Sequence, residues 1–597
     1  MRIAVRAVAG ALGSGLLALA LAAVGAVSPA PALAAAQGFV RVNQLGYAAG
    51  APKRAYLMTS AAESGATFAV RRTSDGTIVS SASLGAPVGS WSAAFPDVYA
   101  LDFDGVSASG TYEVQVSGSI PATSPPFTLD SPANLYGQPL ANALAFYENE
   151  RDGPHFVHSA LRTAPGHLND ASAETYLTPK ARSGGSFRGD LTPLGARIDA
   201  SGGWWDAGDY LKFVQTTSYA VSLLLTGVRD FPSQMGSSAG GRDFTAEARF
   251  GLEWLLRMWD DSTQTLYYQV GIGTGNRSTA GDHDIWRLPQ SDDTYGGGDP
   301  LYRYIRNRPA FRAGPPGAPV SPNLAGRDAA AFALGYQVFR VSDPSFAASC
   351  LLAAEHIFDL ANVHPKHHLL TALPFSFYPE RQWRDDLELG ATELADALSA
   401  APPPSGLPHA SPGYYLSAAA NWAHAYITKA RGSAETLNLY DVSGLAHYEL
   451  YRAIVAAGTP AGLAVTPAQL LAALGAELQG AVAQAAHDPF DFGFPWNTSD
   501  TASHGAGLAV MAKEYDQLSA SSAYAAWGAR WLADILGANA WGSSFIIGDG
   551  STFPRCPQHQ VANLVGSLDG TAPVLAGAVV EGPNEAPSSG LVEGMRA

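Results

Sequence analysis

A change in the sequence pattern near residue 130 limits the architectures open to this chain. From Gly38 to about Asp130, short alternating runs such as TFAVRRTSDGTIVSSASL and GTYEVQVSG predict β-strands, and the Asp-Gly pair at 75–76 marks a hairpin turn. After Leu135 the chain has long Ala-rich stretches with apolar residues at helical spacing, for example Phe250 and Trp254. We therefore predict a β-sandwich of about 90 residues followed by a larger all-α region.

The helical region contains eleven candidate helices by its apolar periodicity. Strand alternation of the kind that a parallel sheet needs is not seen there. A closed ring of paired helices requires an even number, so we expect one helix, the last, to be missing from the chain as given. The predicted helices lie near residues 135–150, 217–229, 245–260, 324–341, 346–361, 386–400, 413–430, 444–458, 466–487, 502–517 and 522–537.

The length of 597 residues is too great for one ordinary core, and it divides into three predicted segments. Residues 1–36 resemble a secretory signal peptide, with Arg2 and Arg6 before an apolar run and cleavage expected after Ala34 or Ala36. An uncleaved membrane anchor is the alternative, because the run approaches spanning length. Residues 37–130 form the predicted sandwich, and residues 131–597 form the helical region. We expect a secreted protein with no membrane contact after cleavage.

Charge and cysteine content argue against a nucleic-acid-binding protein and against a disulfide-stabilised one. The net charge is -16, with Lys+Arg 36 against Asp+Glu 52, and no basic stripe is present to neutralise a phosphate backbone. We therefore expect no nucleic-acid partner. Cys350 and Cys556 are the two cysteines, so a disulfide framework does not support the fold, and the sequence leaves open whether they pair.

The segment GGWWDAGDYLKF, residues 202–213, places Asp206 and Asp209 three positions apart behind two tryptophans. Either aspartate could cap the helix predicted to follow. As a pair, one carboxylate could take a proton from water while the other orients that water. A metal site is a third reading, although no His or Cys stands at ligand spacing beside the pair.

Two other segments carry candidate site residues. AGDHDIW contains His283 and Trp286, and the stretch from Asp534 to Gln560 reads DILGANAWGSSFIIGDGSTFPRCPQHQ and contains His559. Each of these side chains alone is more often structural than functional. Their order along the chain is more informative than any one of them.

The succession GGWWDAGDYLKF, DHDIW, SPNLAGRDAAAFAL and LGANAWGSSFIIGDG resembles glycoside hydrolase family 9, the cellulase and endoglucanase family. VRVNQLGY, near the start, is similar to the immunoglobulin-like domain that precedes the catalytic domain in one branch of that family. The resemblance spans nearly all of the chain after the signal peptide. Its specific parts are the DAGD and LGANAWGSSF segments.

The resemblance implies an (α/α)6 barrel of twelve helices that hydrolyses β-1,4-glucan with inversion at the anomeric carbon. Asp209 matches the general base and Asp206 the residue that positions the nucleophilic water. Trp205, His283 and Trp286 are expected to line the sugar subsites. An inverting enzyme also needs a carboxylic acid about 6.5–9.5 Å from the base, across the scissile bond. The expected partner is a β-glucan and no cofactor is required. A structural calcium ion stays open, although the sequence shows no ordered ligand pattern for one.

The chain departs from the family pattern in two places. The family's Pro-His-His-Arg motif is Pro557-Gln558-His559-Gln560 here, so we expect His559 and Gln560 to contact substrate in an altered subsite. The family's acid is a Glu close to the last helix, and no segment after GAVVEGPN provides it. Glu585 follows that segment directly, whereas the family's acid stands further downstream. We therefore expect a fragment whose acid follows Ala597. A carbohydrate-binding protein without catalysis, or a hydrolase of another β-glycan such as a glucosamine polymer or xyloglucan, stays open.

Overall fold

The N-terminal strands form the two sheets of the predicted sandwich. A computed structural model of the protein describes residues 35–182, 185–400, 403–429 and 436–583. One sheet has the order β1-β3-β6, and the other has the order β2-β9-β7-β4-β5 with β8 paired to β7. The bounds are β1 Gly38–Arg41, β2 Gly46–Ala48, β3 Arg54–Thr59, β4 Thr67–Arg72, β5 Ile78–Ser83, β6 Asp97–Asp102, β7 Gly110–Ser117, β8 Ala122–Thr123 and β9 Phe127–Asp130.

The predicted hairpin turn joins β4 to β5. Gly76 has φ +72, a conformation that favours glycine, and the Asp75 carboxylate accepts a hydrogen bond from the Thr77 amide at 2.9 Å. The alternating residues Phe68 and Val70 of β4 are buried between the sheets. The alternating runs and the Asp-Gly pair therefore identified the two strands and the turn between them.

All eleven predicted helices are present, with ends shifted by a few residues. Three short helices, α3, α5 and α14, were not predicted, because four to six residues are too few to show a period of 3.6. The bounds are α1 Pro132–Glu150, α2 Val214–Asp230, α3 Pro232–Met235, α4 Phe244–Met258, α5 Pro289–Asp293, α6 Pro322–Phe339, α7 Pro344–Asp359, α8 Arg384–Ala400, α9 Pro412–Lys429, α10 Ser443–Ala456, α11 Pro467–Ala485, α12 Thr501–Ser519, α13 Ala525–Ile535 and α14 Gln560–Val565.

The long helices pack as successive pairs around an inner row. α6 packs against α7, α8 against α9, α10 against α11 and α12 against α13, while α2 contacts both α4 and α6. α6 also packs against α8, and α8 against α10, so these helices form the inner row. Nearly every residue of α6 is buried, as an inner position requires. Among the described residues this gives five pairs and α1, so a twelfth helix stays a prediction.

A small sheet that the sequence analysis missed lies within the helical region. Its order is β11-β10-β15-β14-β12, with β13 paired to β14. Several of its strands are only two or three residues long, too short for an alternating pattern. β12 directly follows the DAGD segment and pairs with β14, which fixes the exit of that segment. The bounds are β10 Ala173–Leu177, β11 Pro193–Ile198, β12 Lys212–Phe213, β13 Trp259–Asp260, β14 Thr265–Val270 and β15 Ala310–Arg312.

Gln44, between β1 and β2, joins the sandwich to the LGANAWGSSF region of the helical part. Its side-chain oxygen accepts hydrogen bonds from the Ser551 and Thr552 amides, both at 2.8 Å, and its amide nitrogen donates to the Gly542 carbonyl at 2.6 Å. The Gln44 backbone amide donates to the Leu536 carbonyl at 2.9 Å. One buried side chain therefore holds both ends of this loop.

The N-terminal segment, Glu585 and the two cysteines were also the subject of predictions. Nearly all of the predicted signal peptide and Glu585 lie outside the described residues. Within the described part of the chain, no helix is long and apolar enough to cross a bilayer. Cys350 is buried, Cys556 is exposed, and both are free thiols.

Candidate active site

The two aspartates of the DAGD segment lie on one closed loop. The Asp206 amide donates to the Leu211 carbonyl at 2.7 Å, and the Leu211 amide donates to the Asp209 carboxylate at 2.9 Å. Gly208 lies against the backbone of the PQHQ segment, where a Cβ would come within 1.8 Å of the Gln558 carbonyl oxygen. Only glycine fits at that position. The loop geometry therefore keeps both carboxylates on one short turn.

Asp206 has the environment of a carboxyl group that keeps its proton up to nearly neutral pH. Burial and the neighbouring Asp209 charge raise its pKa to about 7, although hydrogen bonds from Tyr378 and Thr216 act in the opposite direction. The Tyr378 hydroxyl donates to Asp206 Oδ2. The pKa of Tyr378 is in turn raised well above its usual value by burial and by the Asp206 charge. The hydroxyl therefore stays a donor.

Asp209 is paired with the predicted His283. His283 Nδ1 lies 2.8 Å from Asp209 Oδ2, and the Asp209 side chain is 11% exposed against 43% for His283. The hydrogen bond to Asp209 raises the pKa of His283 and outweighs the opposing effect of its partial burial. The imidazole also rests against the Phe377 ring, with centroids 5.1 Å apart. The imidazole of His283 thus orients the Asp209 carboxylate, which stays partly exposed.

The two tryptophans predicted to line a sugar cleft have different placements. Trp286 is 45% exposed, a ring face available to a sugar. Trp205 is 3% exposed, and its ring packs against Tyr210 and the Arg162 guanidinium, at 4.6 and 4.1 Å respectively. A role for Trp205 in lining the cleft stays a prediction; the side chain itself is buried. It belongs to the packing beneath the loop, because its neighbours cover both the ring and its edges.

His559 and Gln560 also lie behind the loop rather than in an open subsite. His559 Nε2 lies 2.8 Å from the Glu150 carboxylate, and its Nδ1 accepts the Ala562 amide at the start of α14. Gln560 is 1% exposed, and its side chain accepts from the Arg287 amide at 3.1 Å and donates to the Asp282 carbonyl at 3.1 Å. Both side chains are occupied by protein groups. Direct substrate contact by these residues stays a prediction, while their observed contacts support the loop from behind.

Sequence reasoning missed Tyr378 and Tyr440. Tyr378 lies 172 positions from Asp206, in a PFSFYPE segment without a period or motif that would single it out. Tyr440 lies in the same neighbourhood: burial, a hydrogen bond to Asp500 and the charges of Glu581 and Asp206 raise its pKa. Burial and the Glu581 charge likewise raise the pKa of Asp500. Only the folded chain brings these groups together.

The arrangement gives two carboxylates of one loop different chemistry. Asp206 is poised to exchange its proton near neutral pH, whereas Asp209 faces an imidazole whose pKa is raised by the hydrogen bond between them. Pairs of carboxylates with environments this different are suited to divide the tasks of holding and deprotonating a water. Within the described ranges, no group of three or more His, Cys, Asp or Glu side chains is arranged to hold a metal ion. The calcium prediction therefore stays a prediction.

Comparison with known protein families settles the class to which the site belongs. A model described as glycosyl hydrolase family 9 matches residues 136–590, and a model described as a cellulase N-terminal Ig-like domain matches residues 35–120. The chain belongs to glycoside hydrolase family 9. Both parts of the resemblance seen in the sequence are thereby confirmed.

Individual members of the family match more distantly. Endoglucanase 19 of Oryza sativa subsp. japonica is 28% identical over 229 residues, which cover 38% of this chain and 36% of that protein. Endoglucanase C of Cellulomonas fimi is 32% identical over 240 residues, 37% of this chain and 21% of that protein. The chain therefore spans well under two thirds of the length of these relatives.

Solved family 9 structures share the fold over nearly the whole chain. An endoglucanase from Alicyclobacillus acidocaldarius aligns with TM-score 0.67 at 20% identity and covers 92% of each chain. A metagenome-derived family 9 endoglucanase aligns with TM-score 0.65 at 22% identity and covers 92% of this chain and 91% of its own. At these identities the likeness establishes the fold: an Ig-like sandwich followed by a helical catalytic region.

Proposed function

We propose that this protein is a secreted endoglucanase-type hydrolase that cleaves β-1,4-glucosidic bonds with inversion. One observation carries the proposal: Asp206 and Asp209 share a closed loop but have different partners, a tyrosine hydroxyl and an imidazole. Family membership and the endoglucanase names of the relatives support a β-glucan substrate. The signal-like N-terminus supports export.

Asp209 acts as the general base in this proposal. Its carboxylate removes a proton from a water while Asp206, held by Tyr378, orients the same water toward the anomeric carbon. The exposed ring of Trp286 packs on an adjacent sugar. The His283 imidazole, 2.8 Å from Asp209 Oδ2, orients the Asp209 carboxylate.

Replacement of Asp209 tests the role of the base. Asp209→Asn should lower kcat by about 10²- to 10⁴-fold, the scale of a single acid–base group, while calorimetry still detects cello-oligosaccharide binding. Asp199→Asn is the matched control, since it neutralises an exposed carboxylate upstream in the same segment. A full hydrolytic rate in Asp209→Asn would overturn the assignment.

Inversion also requires a proton donor on the far side of the scissile bond. Among the described carboxylates, Asp500 and Glu581 act electrostatically on Tyr440 together with Asp206, so Asp500→Asn and Glu581→Gln are the variants to compare. A variant that lacks the donor should hydrolyse dinitrophenyl β-cellobioside at the normal rate, because its leaving group needs no proton, but should hydrolyse cello-oligosaccharides more slowly. If both variants cleave cello-oligosaccharides at the full rate, neither Asp500 nor Glu581 is the donor.

A carbohydrate-binding protein without catalysis is the second candidate. The altered segment Pro557-Gln558-His559-Gln560 favours it. Binding of cello-oligosaccharides with no turnover of either the natural or the dinitrophenyl substrate would support this alternative. Turnover of the dinitrophenyl substrate alone would instead indicate a hydrolase that lacks its acid.

A further inference from the structure

A buried network of charges lies directly beneath the DAGD loop. Lys212, the third residue after Asp209, is fully buried, and its ammonium contacts Asp152 at 2.8 Å and Asp170 at 2.9 Å. It also donates to the Ala200 and Gly202 carbonyls, both at 2.8 Å. Lys212 therefore attaches the C-terminal end of the DAGD loop to two buried carboxylates, Asp152 and Asp170.

Arg308, two residues before β15, belongs to the same network. It is fully buried and donates to Asp152 Oδ2 at 2.6 Å, to Asp170 and to the Tyr210 carbonyl. Two buried cations thus face two buried carboxylates, which balances their charge. Tyr210 is the residue after Asp209, so the loop backbone itself is a member of the network.

His167 extends the network to the segment that carries His283 and Trp286. Its Nδ1 lies 2.9 Å from Asp152 Oδ1 and its Nε2 lies 2.9 Å from Asp292 Oδ2, and all three side chains are at most 1% exposed. An ionised carboxylate can only accept a hydrogen bond, so both ring nitrogens must donate. The imidazole is therefore bound as an imidazolium between two carboxylates.

The directions of the pKa shifts agree with that geometry. Burial and the Arg308 charge oppose a proton on His167, yet Asp152 and Asp292 outweigh them and raise its pKa. Burial likewise opposes ionisation of Asp152, but Lys212, His167 and Arg308 hold its pKa well below the usual value. The other charged or titratable groups around the ring are Asp282, Asp293, Arg287 and Tyr210.

Asp292 also forms an ion pair with Arg287, the residue after Trp286. The Arg287 guanidinium donates to both Asp292 oxygens, and the Arg287 carbonyl accepts from the Tyr210 hydroxyl at 2.5 Å. The segment from residue 282 to 293 is therefore joined to the DAGD loop through Tyr210 and through His167, in addition to the direct contact of His283 with Asp209. This segment supplies the imidazole that contacts Asp209.

We propose that His167 is a positioning residue: as an imidazolium bridge between Asp152 and Asp292, it holds the His283 segment in register with the catalytic base Asp209. The inference rests on the proposed function for its catalytic consequence only. A neutral ring would turn a lone pair toward one of the two buried carboxylates, which replaces that hydrogen bond by a repulsive contact and loosens the segment. His167 itself touches neither Asp209 nor the exposed ring of Trp286.

His167→Gln tests the bridge, since an amide can donate to one carboxylate but must present its oxygen to the other. We expect kcat to fall by about 10- to 100-fold, the scale of a misplaced catalytic group, with KM less affected, and amide hydrogen exchange across residues 282–293 to rise. Adding Asp292→Asn supplies a donor for the glutamine oxygen and should recover part of the loss in kcat.

The matched control is His447→Gln. His447 is also fully buried, 2.7 Å from the Glu388 carboxylate; burial alone would lower its pKa, but the charge and hydrogen bond of Glu388 outweigh it and raise the pKa to about 9. Its loss should lower stability but leave kcat and exchange in residues 282–293 unchanged. Equal losses of kcat in the two variants, or unchanged exchange in His167→Gln, would overturn the proposal.

Two readouts do not depend on catalysis. If His167→Gln fails to fold, nitrogen NMR of histidine-labelled wild-type protein decides: a doubly protonated His167 at pH 7 supports the bridge and a neutral tautomer refutes it. If the wild-type protein hydrolyses no β-glucan, the proposed function fails, while hydrogen exchange and NMR still test the bridge.

Discussion

Removal of one hydroxyl, in Tyr378→Phe, tests how the paired carboxylates divide their tasks. In the wild-type protein the Tyr378 hydroxyl donates to Asp206, whose pKa is raised to about 7 by burial and the Asp209 charge. A hydrogen bond to a charged group contributes about 1.5–3 kcal/mol, and one pKa unit corresponds to about 1.4 kcal/mol. The variant should therefore raise the pKa of Asp206 by a further ~1–2 units.

The assay is the pH dependence of kcat/KM on a soluble cello-oligosaccharide. If Asp206 must be ionised to orient the water, activity of the wild-type protein rises with pH through about 7. In Tyr378→Phe the same limb should move upward by ~1–2 pH units, so the loss is large at pH 6 and small at pH 9. Tyr426→Phe is the control, since its hydroxyl also donates to a carboxylate, that of Asp441, at 2.8 Å. A uniform loss with an unmoved limb would refute the reasoning.

Three further predictions follow from single contacts. Asp206→Asn should abolish activity. It should also raise the melting temperature, and by more at pH 8 than at pH 5. The reason is that the pKa of Asp206 is raised from 3.8 to about 7 in the folded protein, so this carboxyl group destabilises the fold increasingly as pH rises between those values. Gln44→Ala should cost about 2–3 kcal/mol in urea unfolding, since it leaves the Ser551 and Thr552 amides without their acceptor; an unchanged midpoint would contradict this. Trp286→Ala should raise KM for cello-oligosaccharides with little change in melting temperature, because its ring is 45% exposed; unchanged KM would remove it from the substrate path.

The sequence predicted the elements whose periodicity is long enough to read. The β4–β5 hairpin and the eleven long helices follow from alternation and from apolar spacing, since each depends on residues close in sequence. The small sheet containing β12 was missed because its strands are short and its partners are distant. Local pattern carries no information on such pairings.

The site was predictable only in part for the same reason. Asp206, Asp209 and His283 were identified from motifs, and the structure brings Asp209 and His283 to 2.8 Å. Motifs did not reveal which side chains are covered: Trp205 and Gln560 are buried by residues from other segments. Burial is a property of the folded chain.

The anomer first released from cellopentaose tests the central claim most directly. Proton NMR during hydrolysis by the wild-type protein, repeated with Asp209→Asn, distinguishes the two stereochemical outcomes before mutarotation. A base-activated water held by Asp206 and Asp209 attacks opposite the leaving group, so the α-anomer should appear first, and Asp209→Asn should release almost none. Initial release of the β-anomer, or wild-type release of the α-anomer by Asp209→Asn, would contradict the proposed mechanism.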